Sequence, residues 1–88
     1  MKVRLHKRFL KDLSRIPEKQ RKKIEHFIFE EALEFKNIKH IPGFEKLKGY
    51  KTYYKIRFGS YKAGIKYEGD ILYFERILHR KDIYKYYP

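Results

Sequence analysis

Cysteine is absent from the 88 residues, which excludes a disulfide framework and any thiolate metal site. No apolar run approaches the roughly 20 residues that a bilayer-spanning helix needs. The opening segment MKVRLHKRFLKDL is charged throughout and has no apolar h-region, so it does not read as a signal peptide. A cytoplasmic chain with no membrane contact is expected. The four histidines, His6, His26, His40 and His79, lack paired ligand spacing, and no carboxylate cluster stands beside them. There is no Walker loop and no GxGxxG, so neither a metal nor a cofactor is expected. Ser14 and Ser60 have no plausible base beside them, which leaves hydrolase chemistry of the serine type without its parts. Acidic residues are few: 11 Asp and Glu face 23 Lys and Arg, for a formal charge of +12.

What is present fits one domain, residues 1–88. A chain this short buries roughly 60–65% of its unfolded surface, so a functional site should be a shallow face rather than a deep pocket. A charge of +12 repels itself and points to a polyanionic partner. Bulk charge does not locate the site. Residues 1–49 carry 14 basic and 7 acidic side chains, and residues 50–88 carry 9 and 4. Tyrosine is more informative, because all nine lie between Tyr50 and Tyr87. Tyrosine favours strands and also stacks on bases.

The periodicity predicts helices first and sheet second. Val3 and Leu5 alternate with charged neighbours, a short strand. Phe9, Leu10, Leu13 and Ile16 fall at helical spacing. Pro17 ends that helix and is placed to open the next at its first position. Ile24, Phe27, Ile28, Ala32 and Phe35 make the second apolar stripe. Residues 36–50, with Pro42, Gly43 and Gly49, read as a loop. Tyr54, Ile56 and Phe58 then face inward, while Tyr53, Lys55 and Arg57 face outward. Gly59-Ser60 suits a type II′ hairpin. The return strand, Tyr61 to Tyr67, puts Ala63 and Ile65 inward and Lys62, Gly64 and Lys66 outward. Glu68-Gly69-Asp70 is a second turn. Ile71 to Leu78 is apolar on both faces and so central. Asp82 is placed to cap a last helical turn through Tyr86. The expected class is α+β, in the order β-α-α-β-β-β: a helical hairpin on a small, mainly antiparallel sheet with a short tail.

The chemistry such residues support is cleavage of RNA. The substrate brings its own nucleophile, the 2′-OH. The protein must supply a base, cations for the crowded phosphorane, and an acid for the leaving 5′ oxygen. Lysine, at about pKa 10.4, is a poor base, but neighbouring cations lower an amine's pKa. Arginine's planar fork suits phosphate. Lys55 and Arg57 lie about 7 Å apart on one strand face. Lys62 lies across the hairpin, and His79, Arg80 and the tail tyrosines follow the last strand. A merely solvated strand face explains the same pattern.

Nearly the whole chain resembles the RelE/ParE toxin superfamily. The resemblance rests on the element order, on Tyr54-Lys55-Ile56-Arg57-Phe58, on Gly59-Ser60-Tyr61-Lys62, and on Leu78-His79-Arg80-Lys81-Asp82-Ile83-Tyr84. It is closest to the RelE branch. That implies a toxin of a type II toxin–antitoxin system, one that enters the ribosomal A site and cuts mRNA. It also implies a cognate acidic, RelB-like antitoxin in a heteromeric complex, with operator DNA reached only through that antitoxin. The family's basic strand pair maps onto Lys55 and Arg57, its later arginine onto Arg80, and its C-terminal tyrosine onto Tyr84. Its hairpin arginine is replaced by Lys62, which keeps the charge but loses the bidentate fork. Tyr84 also follows Arg80 more closely than in the best-known enzymes. Related toxins use a C-terminal histidine as acid, which makes His79 a further candidate. On this map Lys55 is the base or base-activating cation, Arg57 and Lys62 hold phosphate, Arg80 stabilises the transition state or acts as acid, and Tyr84 stacks.

Lys19, Arg21, Lys22 and Lys23 crowd the start of the second helix, against the sense of its dipole. Together with Lys66 they are candidates for binding RNA or the ribosome; the basic helix end equally suits acidic stretches of an antitoxin, and a tolerated solvated face is the alternative. Two other functions stay open: a ParE-like inhibitor of DNA gyrase, and a non-catalytic basic module that binds RNA or the ribosome.

Overall fold

The computed structural model describes residues 1–88. The chain runs β1 (Lys2–Leu5), α1 (Lys7–Ser14), α2 (Glu18–His26), β2 (Phe44–Lys46), β3 (Tyr53–Phe58), β4 (Tyr61–Glu68), β5 (Ile71–His79) and α3 (Ile83–Tyr86). One five-stranded sheet has the order β1-β5-β4-β3-β2. Only the β1–β5 pair is parallel; the other three are antiparallel. The class is α+β, as expected. No helix is long and apolar enough to cross a membrane.

α1 begins at His6, whose Nδ1 accepts the Arg8 N–H at 3.2 Å. Its inner face is Phe9, Asp12 and Leu13. Leu10, expected on this stripe, is half exposed instead, because it lies about 100° round the helix from Phe9. Pro17 is extended and sits one place earlier than expected, as the cap; its carbonyl accepts the Arg21 N–H at 2.9 Å. α2 continues through a π-helical turn, Phe27–Glu31, and a 3-10 turn, Ala32–Glu34. The wider turn keeps Phe27, Ile28 and Ala32 in the core and leaves Phe29 and Leu33 exposed. Phe35 lies just past the helix and is half-buried against the core.

Residues 36–50 are not all loop. Ile38–His40 form a 3-10 turn, and β2 pairs with β3 through Phe44 and Ile56. Three residues are too few to show alternation, and the pairing that makes them a strand is non-local. Gly59 has φ +60 and Ser60 is not left-handed, the pattern of the expected II′ turn. Gly69 and Asp70 are both left-handed, the pattern of a type I′ turn.

The main core lies between the helices and one sheet face. Phe9, Phe74, Ile56, Ile65, Leu72, Ile77, Ile24 and Ile28 are fully buried there. The register of β4 and β5 shifts at Gly64/Ile65, which face Arg76 and Phe74, so Glu75 is a bulge. The bulge reverses the alternation. Leu72 and Phe74 point into the core before it, and Ile77 after it. That explains why β5 is apolar at both parities.

β1 stops pairing at Phe74, which leaves the β5 edge open beyond it. Asp12 closes that edge. Its carboxylate accepts Arg76 Nε at 2.7 Å, Arg76 Nη2 at 3.2 Å and the Ile77 N–H at 3.2 Å.

Candidate functional site

On the sheet face away from the helices, a merely solvated surface was the alternative reading. That face carries a second small core. Leu47, Ile83 and Tyr87 are buried there, with Tyr53 and Leu78 against them. The tail crosses this face as α3, held by the Tyr87 N–H to the Ile83 carbonyl at 2.9 Å. Asp82 stands at the cap position, but its side chain makes no capping bond.

Gly64 explains why the tail lies flat. A Cβ on Gly64 would sit 2.6 Å from the Tyr87 ring. The absent side chain is the slot into which that ring packs. A glycine inside a strand is a sequence signal of such close approach. The Tyr87 hydroxyl donates to Glu75 Oε1 at 2.9 Å. Burial, then that hydrogen bond to a carboxylate, holds its pKa well above the ordinary tyrosine value. Gly64→Ala should therefore lift the tail and cost about 1–3 kcal/mol. Hydrogen exchange is expected to speed up at Lys85 and Tyr87 but not in β4 and β5. Uniform acceleration would show that the slot is not local.

Under the tail lies Lys55, only 5% exposed. Its Nζ stands 3.6 Å from the centre of the Tyr84 ring. Lys62 donates to the Tyr84 hydroxyl at 2.9 Å and pairs with Glu45 at 3.4 Å. Arg57 is the cross-strand partner of Lys62, shares its face and is exposed. Two of the expected residues, Lys55 and Lys62, thus both meet a third, Tyr84, with Arg57 beside them. Arg80 lies at the same end of the sheet, its N–H bonded to the Ser60 carbonyl at 2.8 Å, with its side chain exposed.

His79 is placed differently. It pairs with Tyr61, next to the Ala63–Ile77 pair on the helix-facing side. Its ring stands edge-on to Tyr61 at 5.8 Å, and its Nδ1 accepts the Lys81 N–H at 3.2 Å. The structure does not bring His79 to Tyr84. The bulge at Glu75 is the reason, since an unbroken strand would have turned it to the other face.

The electrostatics add what the sequence did not show. Lys62 is raised: its bond to Tyr84 comes first, burial opposes it, and Glu45 adds to it. Tyr84 is lowered, by Lys62 first and Lys55 next. The proton is loosened on the phenol rather than on that amine. Ammonium neighbours favour the phenolate, so Tyr84 should ionise at lower pH than an unpaired tyrosine. In an ultraviolet titration, Tyr84→Phe should remove the earliest tyrosine step, and Lys62→Gln should move that step to higher pH. An unchanged step in Lys62→Gln would refute the pairing in solution. Glu45, unremarked in the sequence, is the only acid among residues 36–50. Nothing local marks it, because the β2–β3 pairing brings it here.

Of the other basic candidates, Arg21 turns inward, donating to the Ile16 carbonyl at 3.2 Å and pairing with Glu25 at 3.8 Å. Lys22 pairs with Glu18 at 3.2 Å. Lys19 is exposed, and Lys23 lines a recess with Gln20, Phe58, Gly59 and Ser60. Lys66 pairs with Tyr53 and Tyr73 at the far end of β4 from Lys62.

The chain is similar to known proteins over its full length. The family model for the ParE toxin of type II toxin–antitoxin systems matches residues 3–84. Toxin RelE3 of Methanocaldococcus jannaschii is 44% identical over 89 residues, covering all of both chains. The crystal structure of a RelB–RelE antitoxin–toxin complex from Methanococcus jannaschii matches at TM-score 0.81 and 42% identity, over 98% of this chain and 100% of that one. The toxin–antitoxin complex RelBE2 of Mycobacterium tuberculosis shares the fold at TM-score 0.73, 18% identity and 92% of each chain. A family model matched over nearly the whole chain and a relative this close along its full length lead to one conclusion: the chain belongs to the ParE/RelE superfamily of type II toxin–antitoxin toxins, on its RelE-like branch.

Proposed function

We infer that this toxin is a ribosome-dependent endoribonuclease that cuts mRNA in the A site without a metal. The observation that supports it best is the Lys55–Tyr84–Lys62 contact, with Arg57 beside it on an open face. In the reaction the 2′-OH loses its proton and attacks the adjacent phosphorus. The bond to the 5′ oxygen breaks, and that oxygen takes a proton. The products are a 2′,3′-cyclic phosphate and a 5′-OH. The Tyr84 phenolate, favoured by the Lys55 and Lys62 ammoniums beside it, takes up that first proton, which makes Lys55 the base-activating cation. Arg57 and the firmly charged Lys62 neutralise the phosphorane. Arg80 is the acid or a further cation. Tyr84 is 61% exposed, which leaves ring surface for a base. The exposed Lys19, Lys22 and Lys23 add contacts to ribosomal RNA.

Control by an acidic RelB-like antitoxin follows from the same reading. It is supported by the relative solved with its RelB partner and by a charge of +12 on this chain. Action on the ribosome places the protein in the cytoplasm.

Because the matching family is named for ParE, gyrase is the competing target. Purified protein is given translating ribosomes with a defined mRNA and, separately, DNA gyrase. Codon-positioned cuts that disappear in Arg80→Ala are expected. Gyrase inhibition with intact mRNA would replace this reading with the other.

A further inference from the structure

The lysine-rich turn before β3 takes no part in the site above. Lys46, Lys48 and Lys51 line a shallow recess with Tyr50. None of the three ammoniums is in an ion pair, although four other Lys or Arg side chains are paired elsewhere in the molecule. The turn is well anchored. The Leu47 N–H donates to the Tyr53 carbonyl at 3.0 Å, and its side chain is buried against Ile83 and Tyr87. The Tyr50 N–H donates to the Leu47 carbonyl at 3.3 Å, and Gly49 takes φ +86, as the third position of a type II turn requires.

Tyr50 is therefore held in place yet 46% exposed. Its ring stands edge-on to Tyr53 at 5.6 Å and 87°, and Tyr53 stands edge-on to Tyr87 at 5.9 Å. A braced aromatic ring thus stands open to water beside lysines that have no acidic partner. Single-stranded RNA satisfies both, with phosphates for the lysines and an unpaired base for the ring. A duplex hides its base faces, whereas every nucleotide of a single strand brings a phosphate and a flat base together.

We propose that the Lys46–Lys51 turn is a second RNA-binding site, in which Tyr50 stacks on an unpaired base while Lys46, Lys48 and Lys51 hold the flanking phosphates. From Tyr53 to Arg57, β3 spans about 13 Å, so one RNA strand reaches both sites. The proposal rests on the RNA reading above and extends it to a subsite a few nucleotides from the cut.

The test uses the full chain and a short single-stranded RNA carrying 5-iodouridine. Irradiation should cross-link the tryptic peptide Gly49–Lys51. Tyr50→Ala should weaken binding about tenfold. Replacing the three lysines by glutamine should lower the salt slope by about 2. Cross-links confined to other peptides, equal competition by duplex RNA, or an unchanged slope would overturn the site. On ribosomes, iodouridine placed in the message separates two sources. A cross-link at Tyr50 marks mRNA, and a lowered slope without it marks ribosomal RNA; both keep the site. Because the readout is binding, failure to cut mRNA overturns the cleavage reading alone, and absence of the Tyr50 cross-link to the short free RNA overturns this one alone.

Discussion

Lys55→Met should abolish most cleavage, with single-turnover rates on programmed ribosomes falling roughly 10²–10³-fold. The size follows from placement. The ammonium stands 3.6 Å from the Tyr84 ring centre, on a lysine that is almost fully buried. A buried cation is weakly screened, so it acts strongly on a phenol and on a phosphate beside it. Methionine keeps the stem that supports the tail and removes only the charge. Folding should survive: the midpoint of denaturant unfolding should move little, since Lys55 has no carboxylate partner. A second change should appear with the first. One of the two cations that acidify Tyr84 is gone, so its phenol should ionise at higher pH than in the parent chain. If Lys55→Met cuts mRNA within tenfold of the parent, the site assignment fails, whatever happens to the phenol.

Asp12→Ala should cost about 3 kcal/mol in stability, because it removes a buried carboxylate and strips the partly buried Arg76 of its partner. Three hydrogen bonds end on this carboxylate, two from Arg76 and one from the Ile77 backbone. Alanine leaves a guanidinium and a strand N–H without acceptors, and each unmet group carries its own desolvation cost. For a chain of this size the melting temperature should fall on the order of 10–20 °C. The double variant Asp12→Ala, Arg76→Met should recover part of that loss, since it removes the stranded charge. Equal stability of the single and double variants would show that the pair is not the cause. A single variant within about 0.5 kcal/mol of the parent would show that the edge is closed some other way.

Several elements were legible from local pattern alone. Alternation through Tyr54, Ile56 and Phe58 sets the face of β3, and the Gly59-Ser60 turn then fixes its register with β4. Lys55, Arg57 and Lys62 therefore came to one face by period-two geometry. Helical spacing located Ile24, Phe27, Ile28 and Ala32. The tail residue Tyr84 was reached by resemblance to the family, because nothing in its own neighbourhood says where the chain returns.

Tertiary structure decided the rest, and in each case through contacts between residues far apart in the chain. β2 exists because β3 lies beside it. Asp12 and Arg76 are 64 residues apart, and their pairing needs α1 to cross the open edge of β5. His79 turned from the site because one extra residue, Glu75, shifts the register with β4. Lys55 looked like one more exposed lysine on an outward face until Tyr87 seated against Gly64 and brought Tyr84 down over it. The sequence by itself determined which side chains share a strand face, since that depends on period and on tight turns. Which of them are covered, paired or acidified depends on what packs above the face, and only the folded chain decides that.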